Sequence, residues 1–560
     1  MTDFAPRPIQ QVARELGLAE DDIEIFGRGK AKIGLDVLRR QRESTTKGRL
    51  ILVTAINPTP AGEGKTTTSI GLAMGMRRLG KNAVLALREP SLGPVFGVKG
   101  GGTGGGKASL VPADDINLHF TGDIHAITTA HNLLSALVDN SIYFHDQNGE
   151  AGELDPRQVS WGRAMDMNDR FLRHGLVGLG GKAHGVPRES RFDITAASEV
   201  MAIMALARDY KDLEARLARI VVGTTHQGKA VTAGDVGAAS AMTAVLRDAL
   251  KPNLVQTREG GPAIVHCGPF GNIAHGCNSV LATQMAMQLG DYAITEAGFG
   301  FDLGGEKFLN IKCREAGVWP RLVVIVATLR ALKMHGGAAV KLAGEPDPAR
   351  LELGLTHLEK HLENAAAFGL APVVAINVFP NDARAEVDMV EKASARLGAR
   401  VALSEGFSRG GEGTLDLARL VAELADATDA APPKPRFVYE LADSAHEKIR
   451  KIARTIYGAR DAVLSGTAEK DLERIAALGY EKLPICMAKT QLSLTDHPAI
   501  FGRPRDFVIT VREIRLSAGA GFLVPLTGEM MTMPGLPKVP AARQVKLLPD
   551  GSIKGLMQNE

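Results

Sequence analysis

Cysteine, tryptophan, long apolar runs and an excess of charge are all scarce in this chain, and each scarcity closes off a class of function. Only four cysteines occur in 560 residues, Cys267, Cys277, Cys313 and Cys486, and none stands in a C-x-x-C pair. That scatter suits reduced thiols in the cytoplasm and speaks against a disulfide scaffold or a structural zinc site. Two tryptophans and an aromatic content of 5% leave no evident platform for stacking nucleic-acid bases. Lys plus Arg number 66 against 63 Asp plus Glu, a net charge of +3, so nucleic acid and membrane surfaces are not expected partners. No uninterrupted apolar run approaches the ~18 residues of a membrane span. The first residues, Met1-Thr2-Asp3-Phe4-Ala5-Pro6, lack the apolar core of a secretory signal. The expectation is a cytoplasmic enzyme of roughly two to four domains.

Glycine, by contrast, is plentiful at 62 residues, and one glycine loop carries most of the information. Thr59-Pro60-Ala61-Gly62-Glu63-Gly64-Lys65-Thr66 follows the apolar run Leu50–Ile56 and precedes a helical pattern from Thr67 to Leu79, closed by Gly80. Strand, loop ending in Gly-Lys-Thr, then helix is the context of a phosphate-binding P-loop. Glycines let backbone N–H groups turn inward on a phosphate, and the helix N-terminus adds its positive dipole end. Lys65 supplies charge for the outer phosphates, and the Thr66 hydroxyl is placed for Mg²⁺. Thr59 stands where the first P-loop glycine is usual. A plain strand-to-helix turn would not need Lys and Thr in register, so the loop reads as a nucleoside triphosphate site.

Ala83–Leu87 is a second apolar strand, followed at once by Arg88-Glu89-Pro90. A strand, helix and strand so closely spaced form a right-handed βαβ unit. Arg88 then lies past the carboxyl end of its strand, on the edge where open α/β sheets bind ligands. Arginines at strand ends are common on surfaces. Beside a P-loop, this one has the bidentate fork to hold a transferring phosphoryl group or a small carboxylate.

Residues 1 to about 45 read as amphipathic helix, with Ile9–Leu16 the best example. From Gly93 to Asp115 glycine dominates, predicting a flexible loop that orders over a ligand. Buried strands are expected at Tyr292–Thr295, Leu322–Ala327 and Val373–Asn377, and a helix over 351–368. The fold class is α/β: a P-loop NTPase-type parallel sheet flanked by helices, with two further α/β domains. We divide the chain into a nucleotide domain (1–130 plus 291–370), an inserted, mostly helical α/β domain (131–290) and a C-terminal α/β domain (371–560), with a connector at Ala431-Pro432-Pro433-Lys434-Pro435. His119, Asp123, His125 and His131 are poorly spaced for zinc, and His357 and His361, on a charged helix, read as surface residues. No metal is expected beyond the Mg²⁺ of the nucleotide, whose acidic partner is Glu296 or Asp302.

Further segments are similar to one family. Ala86–Pro94, Asp115–Asp123, Met165–Arg170, Asn272–Ser279, Thr295–Gly300, Pro484–Gln491 and Met531–Pro537 run in order along nearly the whole chain and resemble formate–tetrahydrofolate ligase. The resemblance implies ATP, formate and tetrahydrofolate as substrates and formyl phosphate as intermediate. Lys65 and Arg88 are then the catalytic residues. Thr59 to Thr66 bind ATP, and Arg88, Phe299 and Leu403 line the formyl phosphate pocket. Phe379 and Phe407 sandwich the pterin, Phe407 standing where the family often has Trp. It also implies a homotetramer stimulated by K⁺ or NH₄⁺.

A regulatory P-loop ATPase that switches a protein partner is the alternative from another class. It is set aside by the chain's size and by the chain-long match. A catalytically silent folate binder is set aside by intact Lys65 and Arg88.

Overall fold

A computed structural model describes residues 6–41, 48–60, 62–98, 101–144, 153–528 and 530–556. Ala61, one of the expected ATP-binding residues, lies outside the described residues. The organising element is a sheet of 12 strands. In chain order its strands are β1 (Ile23–Ile25), β2 (Ala31–Ile33), β3 (Arg49–Ala55), β4 (Ala83–Leu87), β5 (Gly104–Gly105) and β6 (Ala108–Val111). Then come β7 (Asn253–Thr257), β8 (Pro262–Val265), β9 (Tyr292–Glu296), β10 (Leu322–Ala327), β11 (Pro372–Asn377) and β12 (Arg400–Ser404). Across the sheet the order is β1-β2-β7-β8-β4-β9-β3-β10-β11-β12, with the β5–β6 ribbon joined to β7.

From β8 to β12 neighbouring strands run parallel. Their sequences explain this: every position of β4, β9 and β10 is buried, as strands covered on both faces require. Alternate residues feed two cores. Ile51, Val53, Leu85 and Val324 pack with α1 (Lys65–Arg78) and a later helix (Leu415–Ala427) on one face. Leu50, Leu52, Val84 and Val323 share the other core with α2 (Val280–Leu289) and α4 (Pro348–Ala367), the latter preceded by α3 (Leu329–His335).

The chain leaves β3 toward β4 on one side. It then inserts β9 between them and crosses to β10 on the other side. The carboxyl ends of β3 and β9 therefore flank the point where the winding reverses, which is where such sheets open a crevice.

Several expectations change. The boundaries drawn at 290 and 370 both fall within this sheet, because β7, β8, β11 and β12 join it. The helix at Ile9–Glu15 is present, but β1 and β2 follow as an edge hairpin. The described part of the glycine stretch is largely ordered: β5 and β6 form a ribbon whose Lys107 N–H donates to the Phe407 carbonyl at 2.8 Å. His357 and His361 are fully buried, a correction to their surface assignment. The charges of α4 mislead because Glu352 and Glu363 occupy its outer face while both histidines lie on the inner one. No described helix is long and apolar enough to cross a membrane.

Candidate active site

The loop after β3 hands directly to α1, which starts at Lys65 on a left-handed Gly64 (φ 72°). A Cβ on Gly64 would stand 2.3 Å from Asn377 Nδ2, so both the turn and the close approach exclude a side chain. Asn377, at the end of β11, donates to the Glu63 carbonyl at 3.2 Å and ties the loop to the sheet edge. The departure at Thr59 also has a reason. Its backbone is not left-handed, and its N–H and hydroxyl both donate to Glu63 Oε1, at 2.7 and 3.2 Å. The carboxylate thus braces the loop from within.

Three charged groups meet at the switch point. Lys65 Nζ donates to the Phe299 carbonyl at 3.0 Å. The Thr66 hydroxyl donates to Glu296 Oε2 at 2.9 Å. Glu296 Oε1 lies 3.8 Å from Arg88 Nη2. Glu296, the last residue of β9 and only 4% exposed, joins Thr66, the residue expected at Mg²⁺, to Arg88. Of the two acids considered for Mg²⁺, Glu296 is the one in contact with Thr66. Asp302 is occupied elsewhere, in a buried ion pair with Lys489 at 2.8 Å. A carboxylate and a hydroxyl converging beside a P-loop lysine are the donor chemistry a hard divalent cation takes.

Arg88 is half-buried, and its guanidinium lies against Gly298, where any Cβ would stand 2.9 Å from Nη1. Its Nε is buried without a hydrogen-bond partner. A buried guanidinium N–H left unpaired is costly, and an anionic ligand repays it. Phe299 next to it has φ 60°, a left-handed backbone rare outside glycine and worth about 1–3 kcal/mol of strain. Such strain held in place by surrounding structure marks a site rather than a scaffold.

Phe379 and Phe407 follow β11 and β12, whose ends are in register at Asn377 and Ser404. Both aromatics therefore stand on the same carboxyl edge as the P-loop. Phe379 is half-buried under the Arg330 guanidinium, 4.2 Å from its ring centroid. Phe407 is 44% exposed, with a free face for a planar ligand. Leu403 lies in β12, half-buried against the core, four strands across the sheet from β9. The sheet places it with the aromatic pair. Of the histidine group, His131 is buried, His119 and His125 are exposed, and Asp123 is paired with Lys32 at 2.7 Å. No cluster of three His, Cys, Asp or Glu able to hold a metal occurs among the described residues.

The family model described as formate–tetrahydrofolate ligase matches residues 2–557. The chain belongs to that family. A formate–tetrahydrofolate ligase of Myxococcus xanthus is 60% identical over 554 residues, covering 99% of this chain and 100% of its relative. The strand–loop–helix around Lys65 and the place of Arg88 at the end of β4 follow from local sequence, whereas Phe379 and Phe407 were singled out only by the resemblance to the ligase family. Asn377 was not legible: it reaches the P-loop only through the pairing of β11 with β10, and no local signal announces it.

Proposed function

We propose that the protein joins formate to tetrahydrofolate at the expense of ATP, yielding 10-formyltetrahydrofolate, ADP and phosphate. The observation that carries this reading is Glu296, whose two oxygens face Thr66 and Arg88 and so couple a P-loop to a guanidinium with an unpaired N–H. A P-loop alone serves many NTPases. An arginine at the end of β4, on the far side of β9 from the P-loop strand, adds a place for a second, small anion.

In the proposed sequence a formate oxygen attacks the γ-phosphorus of ATP and ADP departs, leaving formyl phosphate. The folate N10 then attacks the formyl carbon, phosphate leaves, and N10 gives up its proton. The first step asks the protein mainly for alignment and charge neutralisation. Lys65 and the loop N–H groups serve the transferring phosphoryl group, and Arg88 holds formate and then the acyl phosphate. Thr66 and Glu296 would hold Mg²⁺, which offsets phosphate charge when bound with ATP. Phe299 borders the formyl end, and Leu403 stands with Phe379 and Phe407, which take the two faces of the pterin. A cytoplasmic location, supported by the scatter of the four cysteines, completes the reading with a homotetramer and a stimulating K⁺ or NH₄⁺, both supported by the family resemblance alone.

Formate carrying heavy oxygen tests it. One labelled oxygen must appear in the released phosphate, because the formate oxygen that bonds phosphorus stays there when N10 attacks carbon. Unlabelled phosphate would rule out formyl phosphate.

A further inference from the structure

Beneath the phosphate site lies a cluster of buried polar side chains that the chemistry above does not use. Asn57, fully buried just after β3, is its hub. Asn57 Nδ2 donates to Asp302 Oδ2 at 3.2 Å and to the Gln491 carbonyl at 2.9 Å. His361 Nε2 meets Asn57 Oδ1 at 3.1 Å, and His335 Nε2 meets the Asn57 carbonyl at 3.0 Å. Lys489 Nζ pairs with Asp302 Oδ2 at 2.8 Å, both side chains having no exposure at all. The chain between the two partners of this hub is the site itself. Asn57 enters the P-loop, and Asp302 follows Gly298, which abuts Arg88, and Phe299, whose carbonyl holds Lys65. At Gly300 the two segments touch: a Cβ there would lie 2.7 Å from Asp302 Oδ1 and 3.2 Å from the Asn57 nitrogen.

We propose that Asn57, Asp302, Lys489 and His361 are positioning residues that set the spacing between Lys65 and Arg88, and so the alignment of formate with the γ-phosphate. A buried ion pair is a poor device for stability, since its desolvation offsets its attraction and apolar replacements of both partners are often neutral. What it offers is a fixed geometry. Here that geometry locks the P-loop strand to the loop bearing Phe299, across the winding reversal where the β9–β3 ladder ends, its last bond running from the Ala297 N–H to the Val53 carbonyl at 3.0 Å. An error near 1 Å in such alignment costs about a hundredfold in rate.

The inference rests on the ligase reading, so every measurement runs beside wild type: absence of wild-type product would refute that reading first. The variant pair is Asp302→Leu with Lys489→Met, which removes both charges and leaves neither uncompensated. We expect melting close to wild type, a fall in kcat of about tenfold or more, a raised KM for formate and a KM for ATP changed by less than about threefold. A well-folded double variant with wild-type kcat and formate KM overturns the proposal and leaves the pair a structural one. Should the double variant not fold, His361→Leu and His361→Gln decide. Gln still donates to Asn57 Oδ1, so positioning predicts loss of kcat with Leu and recovery with Gln. Equal kcat in the two overturns it.

Discussion

Lys65 Nζ rests on the carbonyl oxygen of Phe299, 3.0 Å away, and so lies on the loop that also borders Arg88. The contact gives the ammonium a partner when no phosphate is bound and keeps its chain within reach of one. It also makes the strained Phe299 backbone part of the phosphate site.

Replacing Lys65 by Ala removes one preorganised charge from the transferring phosphoryl group. The rate of formyltetrahydrofolate formation should drop roughly 10²–10³-fold. Melting should change little, because the side chain is half-buried at the start of α1. Initial rates and a thermal melt check both halves.

Glu296→Gln keeps an acceptor for the Thr66 hydroxyl and loses the charge. The Mg²⁺ concentration for half-maximal rate should rise about tenfold or more, with ATP binding in the absence of metal little affected. A titration of rate against Mg²⁺ at saturating ATP measures this.

Phe407→Ala removes the exposed aromatic face. By analogy with base stacking, about 1–3 kcal/mol of pterin binding is lost, so the KM for tetrahydrofolate should rise about 5- to 150-fold. Formate-dependent ADP formation without folate should be unchanged, which separates the two half-sites.

Acid should destabilise the protein. Burial holds His131, His266 and His335 down to about 4 and His275 and His361 to about 3, with His357 also well below its ordinary value. A depressed folded pKa contributes stability above about 6.5 that is lost as pH falls toward the folded values, by at most about 1.4 kcal/mol per pH unit for each histidine. Glu199 and Glu306, raised by burial to about 7, act in the opposite direction between about 4.5 and 7. Glu89, pushed well above its ordinary value by burial, and Asp114, Asp166 and Asp382, also raised by burial, act the same way. But six histidines that take up protons only on unfolding across the whole of pH 6.5 to 4 leave acid the net loser for the native state. The melting temperature should fall between pH 6.5 and 4, and a flat or rising profile would contradict the burial of this set.

The parts legible in the sequence were those whose signal is local. The P-loop, Arg88 and the strands β3, β4, β9, β10 and β11 are contiguous patterns, and each falls where its residues predict. The choice between Glu296 and Asp302 was not legible, because both stand at the carboxyl end of one strand, Glu296 closing β9 and Asp302 a few residues beyond it. Only the packing of Lys489 against Asp302, from a segment 187 positions later, takes the second acid out of the site. The reach of the sheet was not legible for the same reason: β7 and β8 join it through long-range pairing. His357 and His361 were misread because the helix shows charge on one face and buries polar groups on the other. The glycine stretch looked mobile by composition, yet pairing with β7 and the bond from Lys107 to Phe407 order its described part.

The most direct test is the acid-stable absorbance of 5,10-methenyltetrahydrofolate, formed from the product after incubation with MgATP, formate and tetrahydrofolate. Wild type and Arg88→Ala are measured side by side. Product from wild type alone, dependent on all three substrates, is what the account predicts. Product from both would remove Arg88 from its role, and product from neither, with ATP still bound, would contradict the ligase reading.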